Sequence, residues 1–229
     1  GRCLPGLDQL VASTRAVPFR NRATRTLVIG ATASRGSLHW GRHSPLDEQL
    51  LLLINKRWQH PWLDNLLIFT RETLFWYPLY FFLLLFMVFN FKTKGWWWVL
   101  CVILTASLAD ILSSQIIKEQ IFRLRPCQDP KVAHQLHFFI LYCPRSSSFT
   151  SSHATTHFAQ AMFFYQTLRN LIPRAGLFFI WAFLIAYTQV YAGVHYPFDV
   201  LAGSLLGCGL GFVMARLYQK QFGMVSLAL

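Results

Sequence analysis

Residues 188–199 read Thr-Gln-Val-Tyr-Ala-Gly-Val-His-Tyr-Pro-Phe-Asp and separate two apolar runs, Ala175–Tyr187 and Val200–Ala215. Ionisable groups at membrane depth are costly and usually functional, so His195 and Asp199 beside such runs need an explanation. Asp199 can accept the Nδ1 proton of His195 and leave Nε2 free to attack an electrophile. From these residues alone, a hydrogen-bonded pair that only caps the last helix is an equal alternative.

The apolar runs decide the fold class. Hydrophobic residues make up 54% of the 229-residue chain, and charged residues are rare inside the runs. A membrane-spanning helix needs about 20 largely apolar residues, and shorter runs can extend into polar flanks. The sequence therefore predicts an all-α integral membrane bundle with about five transmembrane helices, at Thr73–Phe91, Gly95–Ile117, Ala154–Leu168, Ala175–Phe198 and Val200–Ala215.

The N-terminal segment 1–44 has a different composition from the rest of the chain. It carries seven arginines, no lysine and a single acid, Asp8, with no clear periodicity. We expect it to be disordered and non-catalytic, whether it is a transit peptide, a cytoplasmic tail or sequence upstream of the working protein. Residues 45–221 form the membrane domain. It begins with an amphipathic helix suited to the interface at Pro45–Trp58, followed by a turn at His60–Asp64.

A basic stretch follows the second apolar run directly: Lys118-Glu-Gln-Ile-Phe-Arg-Leu-Arg-Pro126. Lys118 and Arg125 supply positive charge, and an arginine can bind two oxygens of one phosphate group. Phosphoryl transfer depends mostly on positioning and electrostatic stabilisation, which cations provide. This stretch therefore predicts a binding site for an anionic group.

A serine-rich stretch, Ser146-Ser-Ser-Phe-Thr-Ser-Ser-His153, leads into the third apolar run. Backbone N–H groups near Ser151 and Ser152 lie at the N-terminus of the helix that opens at His153. A helix N-terminus favours bound anions. His153 itself can protonate a leaving oxygen as a general acid.

Together the three stretches resemble the signature of the phosphatidic acid phosphatase type 2 superfamily, which also contains the vanadium haloperoxidases. The blocks of that signature are K-x6-R-P, P-S-G-H and S-R-x5-H-x3-D. The resemblance covers about Leu46–Leu217. The matching residues are, in chain order, Lys118, Arg125, Pro126, Ser151, His153, His195 and Asp199.

Some positions depart from this signature: Thr150 replaces Pro, Ser152 replaces Gly, Thr188 replaces Ser and Gln189 replaces Arg. The last change bears on activity, because that arginine binds phosphate in the family. Glutamine donates a hydrogen bond but carries no charge. Arg123 or Arg145 is a candidate for the missing cation.

The resemblance implies a metal-independent phosphatase without a cofactor, acting on a lipid phosphate monoester or pyrophosphate. The implied substrate class comprises undecaprenyl pyrophosphate, phosphatidylglycerophosphate, phosphatidic acid and lipid A phosphate. His195 would form a phosphohistidine, His153 would be the general acid and Asp199 would orient His195. The phosphate would be bound by Lys118, Arg125, Ser151, Ser152 and Gln189.

Two other functions remain open at this stage. A catalytically weakened family member could bind phospholipid headgroups or act as a membrane assembly protein, as Gln189 suggests. A transporter is disfavoured, because the polar residues gather at one membrane face and not at the midplane. Zinc chemistry is also disfavoured: His153 and His157 have the spacing used by zincins, but Ala154 stands where their glutamate would be.

Part of the net charge of +12 lies in the predicted site, and part lies at the helix ends. Basic residues beside spans are typical of membrane proteins, so we expect a lipid substrate and a bilayer as partners, and no nucleic acid. Lys92–Gly95, Arg169–Arg174 and the C-terminus share one side. The positive-inside rule assigns that side to the cytoplasm, so the site would face outward from a bacterial inner membrane. Nothing indicates the oligomeric state.

Two cysteines, Cys127 and Cys143, lie in the polar connection between the second and third predicted spans. An outward-facing loop lies in an oxidising compartment, where disulfides persist. We therefore predict a Cys127–Cys143 disulfide, with two free thiols as the alternative.

Overall fold

A computed structural model describes residues 38–39, 44–138 and 142–223, and the fold within them is almost entirely helical. The only strands in these ranges are β1 (Leu38–His39) and β2 (Ile121–Phe122), which pair in parallel. The helices are α1 (Pro45–Leu52), α2 (Pro61–Arg71), α3 (Tyr77–Asp110), α4 (Lys118–Gln120), α5 (Ser152–Leu168), α6 (Leu177–Tyr191) and α7 (Pro197–Phe222).

The N-terminal segment lies mostly outside the described residues. Within it, Leu38–His39 form β1, and the expectation of disorder otherwise falls outside the described residues. Their partner strand, β2, lies between the two predicted phosphate-binding cations of the basic stretch.

Helix α1 begins after Ser44, whose hydroxyl oxygen accepts a hydrogen bond from the Asp47 N–H. It continues as a π-helical turn at Leu53–Arg57. Asp47 and Leu51 are fully buried on one face of α1, and Asp47 Oδ1 accepts from the Phe198 N–H of α7 at 3.0 Å. This helix therefore carries an acid into the protein interior, which the prediction of an interfacial helix did not anticipate.

The predicted turn at His60–Asp64 is wrong, because α2 begins there. Pro61 occupies its first turn, and the His60 ring accepts a hydrogen bond from the Trp62 N–H at 3.3 Å. Proline suits this position because its missing N–H would have no partner in a helix, and its fixed φ is already helical. Pro61, which lies in the predicted turn, thus starts a helix.

Helix α3 consists of two arms that reverse direction at Lys92, where φ is 48°. A Cβ on Gly95 would lie 2.1 Å from the Met87 carbonyl oxygen. In one straight helix, eight residues would separate such groups by about 12 Å, so the arms fold back on each other. The tip of this hairpin meets the end of α7, where the Tyr218 hydroxyl donates to the Lys94 carbonyl at 3.1 Å.

Two segments of the described chain are long and apolar enough to cross a membrane, Leu74–Gln120 and Pro197–Phe222. Leu177–Tyr191 is a shorter apolar helix. The first segment contains the α3 hairpin and a π-helical turn, Ile111–Ile117, that leads into α4. A helical membrane protein is therefore the architecture that the apolar runs predicted.

The predicted span at Ala175–Phe198 is too long. Helix α6 ends at Tyr191, the turn that follows contains Gly193 at φ 68°, and α7 begins at Pro197. Left-handed glycines commonly terminate helices, and proline commonly starts them. His195 therefore lies in this turn and belongs to neither helix.

Helix α7 crosses α5 through a row of glycines. A Cβ on Gly207 would lie 2.2 Å from the Thr155 carbonyl oxygen, and one on Gly211 would lie 2.1 Å from the Ala159 carbonyl oxygen. Small residues at this spacing allow the backbones of membrane helices to approach closely. The crossing brings the N-terminal turns of α5 and α7 together, and the predicted site residues lie there.

We expect Gly207→Ala to destabilise the protein, because the new methyl group meets backbone that cannot move aside. Overpacking of this kind costs about 1–3 kcal/mol. Thermal unfolding in detergent measures the loss. Gly209→Ala is the matched control, since nothing lies within 4 Å of its Cβ position. Equal melting temperatures for the two variants would show that the crossing tolerates a methyl group.

Candidate active site

The three sequence blocks meet at one end of the α5–α7 crossing. His195 lies in the turn before α7, and its Nε2 is 2.9 Å from Arg125 Nη1. Lys118 Nζ donates to Ser152 Oγ at 2.6 Å, and the Ser151 N–H donates to the Asp199 carbonyl at 3.2 Å. These contacts join residues that lie up to 70 positions apart in the sequence.

His195 is held in the tautomer that a nucleophile requires. Arginine can only donate, so the bond from Arg125 makes Nε2 an acceptor and places the ring proton on Nδ1. Nδ1 lies 3.4 Å from Ser148 Oγ. With only 2% of its surface exposed, His195 has its lone pair directed at the cation that would also bind an anionic substrate.

Asp199 does not contact His195 as directly as the sequence suggested. Its Oδ2 is 3.8 Å from His195 Nδ1, beyond hydrogen-bonding distance. Ser148 lies between them and donates a short hydrogen bond to the same Oδ2. The same oxygen accepts from the Tyr196 N–H at 3.0 Å, which caps α7. Asp199 therefore caps the helix, as the second alternative had it, and it reaches His195 only through Ser148.

Arg123 binds two buried carboxylates. One of its guanidinium nitrogens donates to Asp199 and the other to Asp47, in two short ion pairs. Its guanidinium carbon also lies 4.5 Å from the centre of the Tyr196 ring. Sequence reasoning missed Asp47, whose position in an amphipathic segment gave no sign of a distant partner. Because its guanidinium is already paired with these two acids, Arg123 does not replace the arginine absent at position 189.

The Ser152 hydroxyl has three hydrogen-bond partners: it accepts from Lys118 and Ser113, and it donates to Ser114, whose own proton is given to Asp110. Lys118 Nζ lies 2.6 Å from its oxygen, and the Ser113 and Ser114 hydroxyls lie at 2.7 and 2.9 Å. Two adjacent residues face one atom here because Ile111–Ile117 is wound as a π-helix. Such turns are frequent at functional sites. Lys118 is therefore positioned by α5, and Ser113 is a further residue that a regular helical period did not reveal.

Ser151 has a structural part in the site. Its hydroxyl oxygen accepts a hydrogen bond from the Ala154 N–H at 3.4 Å, which caps α5. Its own N–H is occupied by the Asp199 carbonyl. This N–H already has a backbone acceptor, and its contribution to phosphate binding stays a prediction. Ser152, the first residue of α5, remains at the helix N-terminus where an anion is favoured.

His153 lies one helical turn from His157, with 6.5 Å between ring centres. The His157 ring in turn packs against Trp181 at 5.1 Å. The positive charges of Arg71, Lys118 and Arg125 all act on His153. The negative charge of Asp110 also acts on His153, whereas the neighbours of His157 include the Trp181 ring.

Gln189 is buried, with 1% of its surface exposed. Its side-chain amide donates to the Ile185 carbonyl of its own helix at 3.4 Å. Its backbone carbonyl accepts from the His195 N–H at 3.2 Å and thereby helps to form the turn. The side chain contributes no charge to the site.

The Arg125 guanidinium is held in place by Ser146 and Val194. Nε and Nη2 donate to the Ser146 carbonyl and hydroxyl at 2.9 and 3.1 Å, and Nη1 donates to the Val194 carbonyl at 3.1 Å. Burial lowers its pKa to about 10, so it stays positively charged at pH 7. A phosphoryl group entering the site would meet a fixed guanidinium.

The loop that carries Arg125 is fixed at several points. Cys127 and Cys143 form the expected disulfide, with Cα atoms 6.1 Å apart. The Asn55 amide donates to the His137 and Tyr191 carbonyls at 3.0 and 2.7 Å. These bonds tie the loop to the end of α6. Among the residues the structure describes, no group of three His, Cys, Asp or Glu side chains is placed to hold a metal ion.

We expect His195 to stay neutral in weakly acidic solution. Burial lowers the pKa of its imidazole to about 4 from the usual 6.5, and the charge of Arg125 adds to this effect. The nucleophilic neutral form should therefore persist as the pH falls from 7 to about 5. NMR titration of the free protein, with His195→Gln to assign the signal, measures this. A midpoint at 6.5 or above would contradict it.

Comparison with known proteins identifies relatives of this arrangement. The sequence profile of the PAP2 superfamily matches residues 95–222. A lipid A 4'-phosphatase of Bacteroides thetaiotaomicron is 31% identical over 168 residues, which are 72% of this chain and 73% of that protein.

Two solved structures resemble the fold. The crystal structure of Aquifex aeolicus LpxE superposes with a TM-score of 0.57 at 27% identity, covering 75% of this chain and 95% of that one. The first transmembrane PAP2 type phosphatidylglycerolphosphate phosphatase from Bacillus subtilis gives a TM-score of 0.55 at 26% identity, covering 79% and 89%.

Proposed function

Because this chain belongs to the PAP2 superfamily and is a membrane lipid phosphatase, we propose that it hydrolyses its substrate through a phosphohistidine formed on His195. One observation carries the proposal: the Nε2 lone pair of a buried, neutral His195 faces Arg125 at 2.9 Å. A phosphoryl group that enters between them brings its oxygens to the arginine and its phosphorus to the histidine.

In the first step His195 Nε2 attacks phosphorus, and the bond between phosphorus and the leaving oxygen breaks. Negative charge on the phosphoryl oxygens is balanced by Arg125 and Lys118. Asp199, through Ser148, stabilises the positive charge that develops on the His195 ring.

His153 supplies the proton that the leaving oxygen takes up. A bound anionic substrate favours the charged form of this histidine, so the general acid is loaded when the phosphate arrives. Water then cleaves the N–P bond and gives its proton to His153. Inorganic phosphate leaves, and both rings return to their starting state. No step requires a metal ion.

Lipid A phosphate is the first substrate to test, because the Bacteroides relative is a lipid A 4'-phosphatase. The other members of the panel are phosphatidylglycerophosphate, phosphatidic acid and undecaprenyl pyrophosphate. The purified protein should release inorganic phosphate from at least one of them, with activity unchanged by EDTA. His195→Ala is the control. Activity lost in EDTA and restored by zinc would overturn the metal-free mechanism.

The proposed bundle crosses the membrane five times, with the two arms of α3 and helices α5, α6 and α7 as its spans. The reversal at Lys92 supports two crossings within Leu74–Gln120, whose 47 residues would otherwise extend about 70 Å against a hydrocarbon core of about 30 Å. Helices α5 and α6 are shorter and extend into polar flanks.

The site is proposed to face outward from a bacterial inner membrane. The hairpin tip and the end of α7 share the opposite, basic side, and the disulfide lies beside the site. Gln135→Cys and Asn170→Cys lie at the two ends. An impermeant thiol reagent applied to intact cells with a permeabilised outer membrane should label Gln135→Cys alone. Labelling of Asn170→Cys alone would invert the orientation.

A further inference from the structure

A phosphatase site without the arginine at position 189 has a gap in its positive charge, and neither candidate from the sequence fills it. Arg123 is paired with Asp47 and Asp199. Arg145 is exposed to solvent. The side chain of Gln189 is bonded to its own helix. Another cation must therefore act if the phosphoryl group is to be bound on this side.

Helix α2 is placed to supply that cation. Its first turn is fixed to the end of α6, where the Tyr191 hydroxyl donates to Asp64 Oδ1 at 2.5 Å. Just after its last residue, the Trp76 ring packs edge-on against Trp181 of α6 at 5.9 Å. Residues late in α2 thus lie beside residues early in α6, so the two helices run antiparallel.

Arg71, the last residue of α2, falls between these two anchors. Trp181, the second of these contacts, also packs against the His157 ring, and His153 lies one helical turn closer to the start of α5 than His157 does. Arg71 is thereby brought to the level of His153.

The surroundings of Arg71 are unusual for an arginine. It is half-buried. No hydrogen bond or ion pair joins its guanidinium to another residue in the described ranges, although the charge of the neighbouring Glu72 acts on it. Its charge acts on His153, and it helps to lower the pKa of Arg125. Like charges gathered away from bulk water repel one another, and a bound anion removes that repulsion.

We propose that Arg71 binds the phosphoryl group of the substrate, as a third cation beside Lys118 and Arg125, from a different helix than the one that carries Gln189. This inference rests on the proposed function, since the anion is the lipid phosphate. The guanidinium of Arg71 would donate to two phosphoryl oxygens on the side of the phosphate that faces His153.

Orthovanadate binding tests this assignment without requiring turnover. Its affinity is measured from the rise in melting temperature with ligand concentration. We expect Arg71→Gln to weaken binding by at least about 10-fold and kcat/KM by about 10²-fold, as for loss of one oxyanion donor. Arg71→Lys, which keeps the charge but loses the fork, should lie between. Arg57→Gln, at an exposed arginine, is the matched control.

Unchanged orthovanadate affinity in Arg71→Gln would overturn the inference, even if turnover falls, because a structural role alone would then explain the loss. If Arg71→Gln does not fold, the affinity of Arg71→Lys decides by the same criterion. Failure of the proposed function shows separately, as a wild-type protein that releases phosphate from no lipid of the panel. Orthovanadate binding that still depends on Arg71 would sustain the anion site in that case.

Discussion

Replacing His195 with alanine is expected to lower kcat by about 10⁴-fold or more, the scale seen when the nucleophile of a covalent mechanism is removed. The reason is geometric, because Nε2 of His195 is the nitrogen that faces Arg125. Among the described residues, no other side chain that accepts a hydrogen bond from Arg125 is a comparable nucleophile. Phosphate release from the best lipid of the panel measures the loss.

Two controls separate this chemical effect from damage to the fold. His134→Ala removes an exposed histidine from the same side of the protein and should leave kcat unchanged. The melting temperature of His195→Ala, measured in the same detergent, reports folding. A folded His195→Ala variant that keeps more than a tenth of wild-type kcat would rule out His195 as the nucleophile.

Replacing Arg123 with glutamine is expected to have the largest effect on stability. Asp47 and Asp199 are fully buried, and both lose their ion-pair partner in this variant. Removing one member of a buried ion pair typically costs about 3–5 kcal/mol, because a charge is left without compensation. Chemical denaturation in mixed micelles measures the change in free energy of unfolding.

The matched control is Arg145→Gln, an exposed arginine in the same connection between helices, for which we expect almost no change in stability. Asp47→Asn provides a second comparison. It leaves Arg123 paired with Asp199 and should be less harmful than Arg123→Gln. Equal stability of Arg123→Gln and Arg145→Gln would show that the buried charges are relieved in some other way.

Local sequence predicted the parts of the site that are contiguous in the chain. The spacing of His195 and Asp199 places them at one helix start, and the basic and serine-rich stretches supply the anion-binding groups that phosphate chemistry needs. The pairing of Cys127 with Cys143 follows in the same way, because both lie in one polar segment. Each of these predictions depends on residue types within short distances along the chain.

The remainder depends on tertiary packing and could not be derived from local patterns. Asp47 pairs with Arg123, 76 positions away in the sequence, and the amphipathic pattern around Asp47 does not indicate a distant partner. Ser113 faces Ser152 only because a π-helical turn changes the angular position of its neighbours. Arg71 reaches the level of His153 because α2 lies along α6.

Helix boundaries failed at two prolines for a physical reason. Pro61 and Pro197 both begin helices, although a proline inside an apolar or amphipathic pattern reads equally well as a break. Whether such a proline starts a helix or breaks one depends on how the residues around it pack in the folded protein, and that packing is not visible in the sequence.

Trapping of the covalent intermediate tests the central claim most directly. The protein is mixed with its lipid phosphate, quenched in alkali within the first turnovers, digested and examined by mass spectrometry. We predict one added phosphoryl group on the peptide that contains His195, absent in His195→Ala. Modification of another residue in active protein, or inversion of configuration at phosphorus during phosphate release, which marks a single direct displacement by water, would contradict the account.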